Sequence, residues 1–168
     1  MWLFPIPRQP LAESQVALMT LTFTGSVNFR SSIGNTNGAP GETAIHGLNP
    51  QRESGILQAT GWDRLEPGSL NLNVPPGVVE ALGECIPLWV EDGKDVVYPH
   101  DCRHIPLIRE AYWYYSATVS GAGKSQDVLV RRAKNPLPGR VELFAPIKLR
   151  DYFELAAGDK LQVEIHAP

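Results

Sequence analysis

Pro67-Gly68-Ser69-Leu70-Asn71-Leu72-Asn73-Val74 is a turn signal followed by a strand signal. Proline fixes the backbone angle that the second position of a tight turn needs, and glycine accepts the positive φ that follows it. The residues after the turn alternate, so the leucines and the valine point to one side of the strand and the serine and asparagines to the other. The segment therefore predicts a strand with an apolar face turned towards a core.

The polar face of this strand carries a hydroxyl and two carboxamides, from Ser69, Asn71 and Asn73. Uncharged oxygen donors of this kind suit a hard cation or the oxygens of a phosphate group. An edge strand with a solvated polar face would have the same composition. The pattern alone leaves both interpretations open.

The composition is that of a single globular domain. The chain has 168 residues, of which 43% are hydrophobic and 20% charged, which suffices for a sizeable core. A net charge of −3 disfavours nucleic acid as a partner. The 15 prolines and 15 glycines favour short elements over long helices. No apolar run approaches the roughly 20 residues of a membrane span, so no membrane association is expected.

Residues 1–13 are expected to form an extended arm, because three prolines interrupt them, and residues 14–168 a single barrel domain. The arm is apolar at Trp2, Leu3 and Phe4, which should pack on the domain or on a neighbouring subunit, giving a homo-oligomer. The N-terminus lacks the pattern of a secretory signal, and two cysteines do not form a disulfide framework. The expected location is therefore the cytoplasm.

Short strands separated by turn residues predict a small closed barrel of about six strands with a few short helices. A helix is expected from Pro50, with Asn49 as its N-cap, to the residue before Gly61. The other expected helices cover residues 78–82 and 149–155. The expected strands cover residues 16–27, 69–74, 86–90, 111–119, 127–131, 141–144 and 161–165.

A second motif lies near the C-terminus, where Val141-Glu142-Leu143-Phe144-Ala145-Pro146-Ile147-Lys148-Leu149-Arg150 precedes a hairpin at Gly158-Asp159. Together with the Pro67 segment it resembles the archaeal CTP-dependent riboflavin kinases. That family has a PGTLN-type turn and strand, and later an I-E-I-I-A-P-x-x-L-R segment leading to a hairpin. Gly61-Trp62 is similar to the Gly-Phe pair that the family carries before its turn. The resemblance implies a mainly β fold, a six-stranded cradle-loop barrel.

The resemblance also implies an activity, the transfer of the terminal phosphate of a nucleoside triphosphate, CTP in that family, to riboflavin, giving FMN. Ser69 and Asn71 would be the catalytic pair that holds Mg²⁺ with the nucleotide phosphates. Glu142 and Asn135 would contact the flavin. The nucleotide would be held by a glycine-rich loop and by the second motif, at Gly34, Gly38, Ile147, Lys148, Leu149 and Arg150.

A second function, from a different class, is a barrel of the same fold that binds a nucleotide, a flavin or another small ligand without catalysis. The loop at residues 31–42 lacks the family's G-x-G-x-G spacing and is longer. Lys134 or Asn135 stands where the family has a threonine that contacts the flavin. These differences favour the binding function, whereas the two motifs favour the kinase.

Two further patterns suggest other chemistry. Gly123-Lys124-Ser125 is part of a phosphate-loop motif, but the glycine required at position 118 is a threonine and a strand pattern follows, so we reject it. If extended, His100, Cys102 and His104 would share one face, and Cys85 would complete a zinc-like ligand set. The alternative for that cluster is a polar loop near a subunit or ligand surface.

Overall fold

The computed structural model describes residues 20–29, 50–92, 111–134, 136 and 138–168. Within those residues the chain forms seven strands and three helices. The strands are β1 Thr22–Asn28, β2 Leu70–Asn73, β3 Trp89–Glu91, β4 Tyr112–Gly121, β5 Lys124–Ala133, β6 Arg140–Phe144 and β7 Lys160–Ile165. The helices are α1 Pro50–Thr60, α2 Pro76–Leu82 and α3 Leu149–Tyr152.

Six of these strands close into an antiparallel barrel in the order β4-β5-β6-β2-β1-β7. The barrel closes where Ala117–Ser120 of β4 pair with β7. The other end of β4, Tyr112–Tyr114, pairs with the additional strand β3. The predicted fold, a mainly β closed six-stranded barrel with a few short helices, is confirmed.

The strand after the Pro67 turn lies inside the sheet. Asn71 is the register partner of Asn28 in β1 on one side and of Glu142 in β6 on the other. Because β2 has hydrogen-bonded neighbours on both sides, the edge-strand interpretation of its polar face is wrong.

The barrel interior is filled by the alternate residues of its strands. Gly25 allows β1 to approach β2 closely, since a Cβ there would lie 2.9 Å from the Cβ of Leu72. The interior includes every core residue that alternation predicts in the two motifs and in the last strand, namely Leu70, Leu72, Val74, Val141, Leu143, Leu161, Val163 and Ile165.

A second apolar cluster lies on the outer wall of the barrel, where α1 and β3 pack against β4, β5 and β6. We call it the outer cluster; its buried members are Ile56, Leu65, Tyr114, Leu129 and Phe144. Gly55 of α1 lies against the indole of Trp89, and a Cβ there would be 2.2 Å from its Cζ2. Helix α1 covers residues 50–60, as predicted, and ends before Gly61, whose φ is +72°.

The β4–β5 hairpin is tighter than predicted. Ala122 and Gly123 both have positive φ, 48° and 73°, which is the pattern of a two-residue type I′ turn. Lys124 and Ser125 already belong to β5. A strand therefore follows the Gly-Lys-Ser sequence, and the rejection of a phosphate loop is confirmed.

Some predicted bounds differ from the structure. The strand predicted at residues 86–90 is Trp89–Glu91, since Ile86 and Pro87 belong to the connection from α2 and Ile86 is exposed. Of the strand predicted at 16–27, residues 16–19 lie outside the described residues, and β1 itself begins at Thr22. The N-terminal arm, residues 1–13, lies outside the described residues. None of the helices in the described part of the chain has the length and apolar character that would let it cross a membrane.

Candidate functional site

The two sequence motifs meet at one end of the barrel. At this end β1 stops at Asn28, β2 begins at Leu70, and β6 stops at Phe144. The register places Asn28, Asn71 and Glu142 in one row across these strands. Their neighbours in sequence point into the core, so this row lies on the outer face of the barrel. The residues assigned to metal and to flavin by resemblance are thus direct neighbours.

Asn71 is a buried polar residue on this outer face, with 7% of its surface exposed. Its Oδ1 accepts a hydrogen bond of 3.4 Å from Nη2 of Arg140. Among the described residues no group accepts from its Nδ2. A buried carboxamide with so little hydrogen bonding is uncommon in folded proteins. With the half-buried hydroxyl of Ser69 just before the strand, it supplies uncharged oxygen donors that fit a magnesium–phosphate complex.

Glu142 is ion-paired with Arg131, its register partner in β5. Both side chains are mostly buried, and the Arg131 guanidinium lies 4.4 Å from the ring centre of Tyr112. Burial alone would lower the pKa of Arg131, but Glu142 and the neighbouring tyrosines keep that pKa above its ordinary value. The carboxylate predicted to contact the flavin therefore has a cationic partner within the protein.

A second buried ion pair connects helix α1 to the same wall of the barrel. Nε of Arg52 donates to Oε2 of Glu91 at 3.0 Å, and the hydroxyl of Tyr114 donates to the same oxygen at 2.7 Å. Burial raises the pKa of Tyr114, so this phenol remains a donor. The Arg52 guanidinium lies 5.5 Å from the ring centre of Tyr112. The Tyr112 ring is thus close to both arginines, one on α1 and one paired with Glu142.

The proposed nucleotide segment, residues 147–150, follows β6 at the same end of the barrel. The chain before it is fixed by two bonds, from the Glu66 amide to the Ala145 carbonyl and from Nε of Arg64 to the Pro146 carbonyl, both 2.9 Å. Leu149 is buried in the core, so only its backbone is available to a ligand. Lys148 is exposed and pairs with Asp151 at 3.1 Å.

Arg150 connects this segment to the end of β1. Its guanidinium lies 4.4 Å from the ring centre of Phe29, the last described residue before the predicted glycine-rich loop. The chain therefore enters that loop beside the segment that the resemblance assigns to the nucleotide.

The tip of the β4–β5 hairpin is hydrogen-bonded to the end of α3. Nζ of Lys124 donates to the carbonyl of Tyr152 at 2.9 Å, and the Tyr152 hydroxyl donates to the carbonyl of Ser125 at 3.0 Å. Lys124 and Ser125 of the Gly-Lys-Ser sequence thus contact the last residue of the helix that begins within the proposed nucleotide segment.

Several predicted site residues lie outside the described residues, namely Gly34, Gly38, Asn135, His100, Cys102 and His104. Cys85, the fourth member of the alternative metal cluster, is half-buried after α2, and its thiol contacts the carbonyl of Ala81 at 3.5 Å. Burial and, less strongly, Glu84 raise the pKa of this thiol. Within the described ranges no three His, Cys, Asp or Glu side chains are grouped so that they could hold a metal.

Two arginines at this site are not among the residues that the sequence predicts for it. The expected strand begins at residue 141, but Arg140 is the first residue of β6. Arg131 was placed at the end of a strand without a role. The alternation that assigned Glu142 to the outer face assigns Arg140, two positions earlier, to the same face. The sequence pattern does not show the register between β5 and β6, which brings Arg131 next to Glu142.

The chain matches no model of a known protein family and no curated protein.

Proposed function

We propose that this protein is a riboflavin kinase that uses Mg²⁺ and a nucleoside triphosphate, CTP by resemblance, to form FMN. One observation carries the proposal: Asn71 and Glu142 are register partners on neighbouring strands. The residue expected at the metal and phosphates therefore lies beside the residue expected at the flavin, as a transfer between two bound substrates requires.

The reaction joins the terminal hydroxyl oxygen of the ribityl chain to the γ-phosphorus of the nucleotide. The bond from that phosphorus to the bridging oxygen breaks, its electron pair stays on the nucleoside diphosphate, and the hydroxyl proton is released to water. Such a transfer depends on alignment and on stabilisation of the charge on the phosphoryl oxygens. A bound magnesium ion would supply part of that stabilisation.

The residues of the site divide into those that would bind the metal, the flavin and the nucleotide. Ser69 and Asn71 offer oxygen ligands to the metal–nucleotide complex, and their lack of charge makes metal binding depend on the nucleotide phosphates. Glu142 accepts hydrogen bonds from donors on the flavin. Residues 147–150 hold the nucleotide, through the backbone at Leu149 and through the exposed side chains of Lys148 and Arg150.

The second candidate function is non-catalytic binding of a nucleotide, a flavin or another small ligand at the same end of the barrel. The Arg131–Glu142 ion pair is the observation that favours it. A carboxylate that already has a buried cationic partner accepts fewer hydrogen bonds from a flavin.

The deciding experiment incubates the purified protein with riboflavin, Mg²⁺ and each of CTP, ATP, GTP and UTP, and separates the flavins by chromatography. We expect FMN, with CTP the best donor, and none when EDTA removes the metal. Binding of riboflavin or a nucleotide without FMN from any donor would support the second function instead.

A further inference from the structure

Arg140 is a half-buried cation without a carboxylate partner among the residues that the structure describes. The one hydrogen bond of its side chain there is the 3.4 Å bond to the neutral carboxamide of Asn71. Partial burial weakens the hydration of a charge, so a guanidinium in this position favours a counter-ion.

The other arginines in the described part of the chain are occupied. Arg52 and Arg131 have carboxylate partners, and Arg64 and Arg132 donate to backbone carbonyls at 2.9 Å. The fifth, Arg150, stacks on Phe29. Arg140 is the half-buried arginine that has no carboxylate partner among the described residues and whose one hydrogen bond, 3.4 Å to a neutral side chain, is long.

The position of Arg140 indicates which anion it would meet. It is the register partner of Asn73 and lies two residues from Glu142 on the outer face of β6. It therefore lies one register pair along from Asn71 and Glu142, beside both the carboxamide assigned to the metal–phosphate complex and the carboxylate assigned to the flavin. In a kinase the group that passes between those two substrates is the γ-phosphoryl group.

We propose that Arg140 binds the phosphoryl group that is transferred, a role that rests on the proposed function. A guanidinium presents paired N–H donors that match two phosphate oxygens. The cation and Arg140 compete for the same atom, Oδ1 of Asn71. If Asn71 held the metal–nucleotide complex through this oxygen, the Arg140 guanidinium would lose its neutral partner and could turn to the phosphate.

The test compares three variants with the parent protein. Arg140→Gln removes the charge, Arg140→Lys keeps the charge but not the paired donors, and Lys160→Gln removes an exposed charge at the start of β7 as a control for overall electrostatics. Calorimetry measures the binding of CTP with Mg²⁺ and of inorganic tripolyphosphate, flavin fluorescence measures riboflavin binding, and a thermal melt confirms folding.

We expect Arg140→Gln to bind both phosphate compounds at least about tenfold more weakly, as when a charge-assisted hydrogen bond is lost. FMN formation should fall by at least about a hundredfold, as when a group that stabilises the transition state is removed. Riboflavin affinity should not change, Arg140→Lys should recover part of the phosphate binding, and Lys160→Gln should match the parent.

The results separate this inference from the proposed function. If the parent forms FMN and folded Arg140→Gln binds phosphate and turns over at the parental rate, the kinase stands and the role of Arg140 is wrong. If the parent binds tripolyphosphate and Arg140→Gln does not, but no donor yields FMN, Arg140 is a phosphate ligand in a protein that does not catalyse the transfer. A parent that binds neither phosphate compound overturns both.

Discussion

Arg131 and Glu142 lie directly opposite each other on β5 and β6 and form a buried ion pair on the outer wall of the barrel. Removing one member leaves the other as an uncompensated buried charge. We expect Glu142→Gln, which keeps the shape of the side chain, to lower the free energy of unfolding by about 3 kcal/mol. The double variant Arg131→Met with Glu142→Leu should recover most of that loss. Urea denaturation measures the parent and both variants, and a double variant no more stable than Glu142→Gln would contradict the proposed effect of the buried charge.

Glu142 also tests the flavin site. We expect Glu142→Ala to weaken riboflavin binding while CTP binding stays close to that of the parent, because only the flavin presents donors to this carboxylate in the proposal. Arg131→Gln is the matched control, since it breaks the same ion pair but leaves the carboxylate in place. Fluorescence titration with riboflavin and calorimetry with CTP give the two affinities. Equal loss of both ligands in both variants would assign the pair a structural role alone.

Asn71 tests the transfer itself. Asn71→Leu keeps the side-chain volume but removes the oxygen donor, so FMN formation should fall by at least about two orders of magnitude. The variant should remain folded and should still bind riboflavin. Thr24→Val, which removes a polar group from an exposed position on β1, is the control and should behave as the parent. Parental activity in Asn71→Leu would place the metal elsewhere.

Two glycines test the contact between α1 and the outer cluster. Alanine at position 55 gains helix propensity, but its Cβ would meet the ring of Trp89 at 2.2 Å, so we expect a net loss of about 1–3 kcal/mol. At Gly77 in α2 an added Cβ meets nothing within 4 Å, and Gly77→Ala should be neutral or stabilising by up to about 1 kcal/mol. Thermal melts of both variants compare the two effects. Equal midpoints would mean that Trp89 does not pack on the helix.

Tyr115 tests the barrel interior at high pH. Burial raises the pKa of this phenol from its ordinary 10.0 to about 12. Its contribution to stability is therefore complete below pH 10, where the phenol is neutral in both states. It is lost as the pH rises towards 12, because the unfolded chain ionises first. We expect Tyr115→Phe to lose less stability than the parent between pH 10 and pH 12, as measured by urea denaturation. If the free energy of unfolding changed with pH in the same way in both proteins, the Tyr115 hydroxyl would be exposed to solvent.

Alternation in the sequence was enough to predict the barrel core and the outward direction of Asn71 and Glu142. Both follow from the period of two in a strand, which is a local property. Local patterns do not show which strands become neighbours. The contact between Arg131 and Glu142 joins two strands across 11 positions, and the contact between Arg52 and Glu91 joins a helix to a strand across 39 positions. Arg140 was missed for a different reason, because the strand was expected to begin at residue 141 and begins at Arg140.

The division of β4 between two partners has a consequence for how the molecule opens. The first residues of β4 pair with β3, against which α1 packs. Residues 117–120 of β4 pair with β7 and close the barrel. The amide hydrogens that bond to β3 can therefore exchange with solvent through a local opening that leaves the barrel intact. Such an opening would separate Arg52 from Glu91 and uncover Tyr112 and Arg131. Helix α1 can thus move away from the flank of Glu142 without unfolding of the scaffold that holds Asn71.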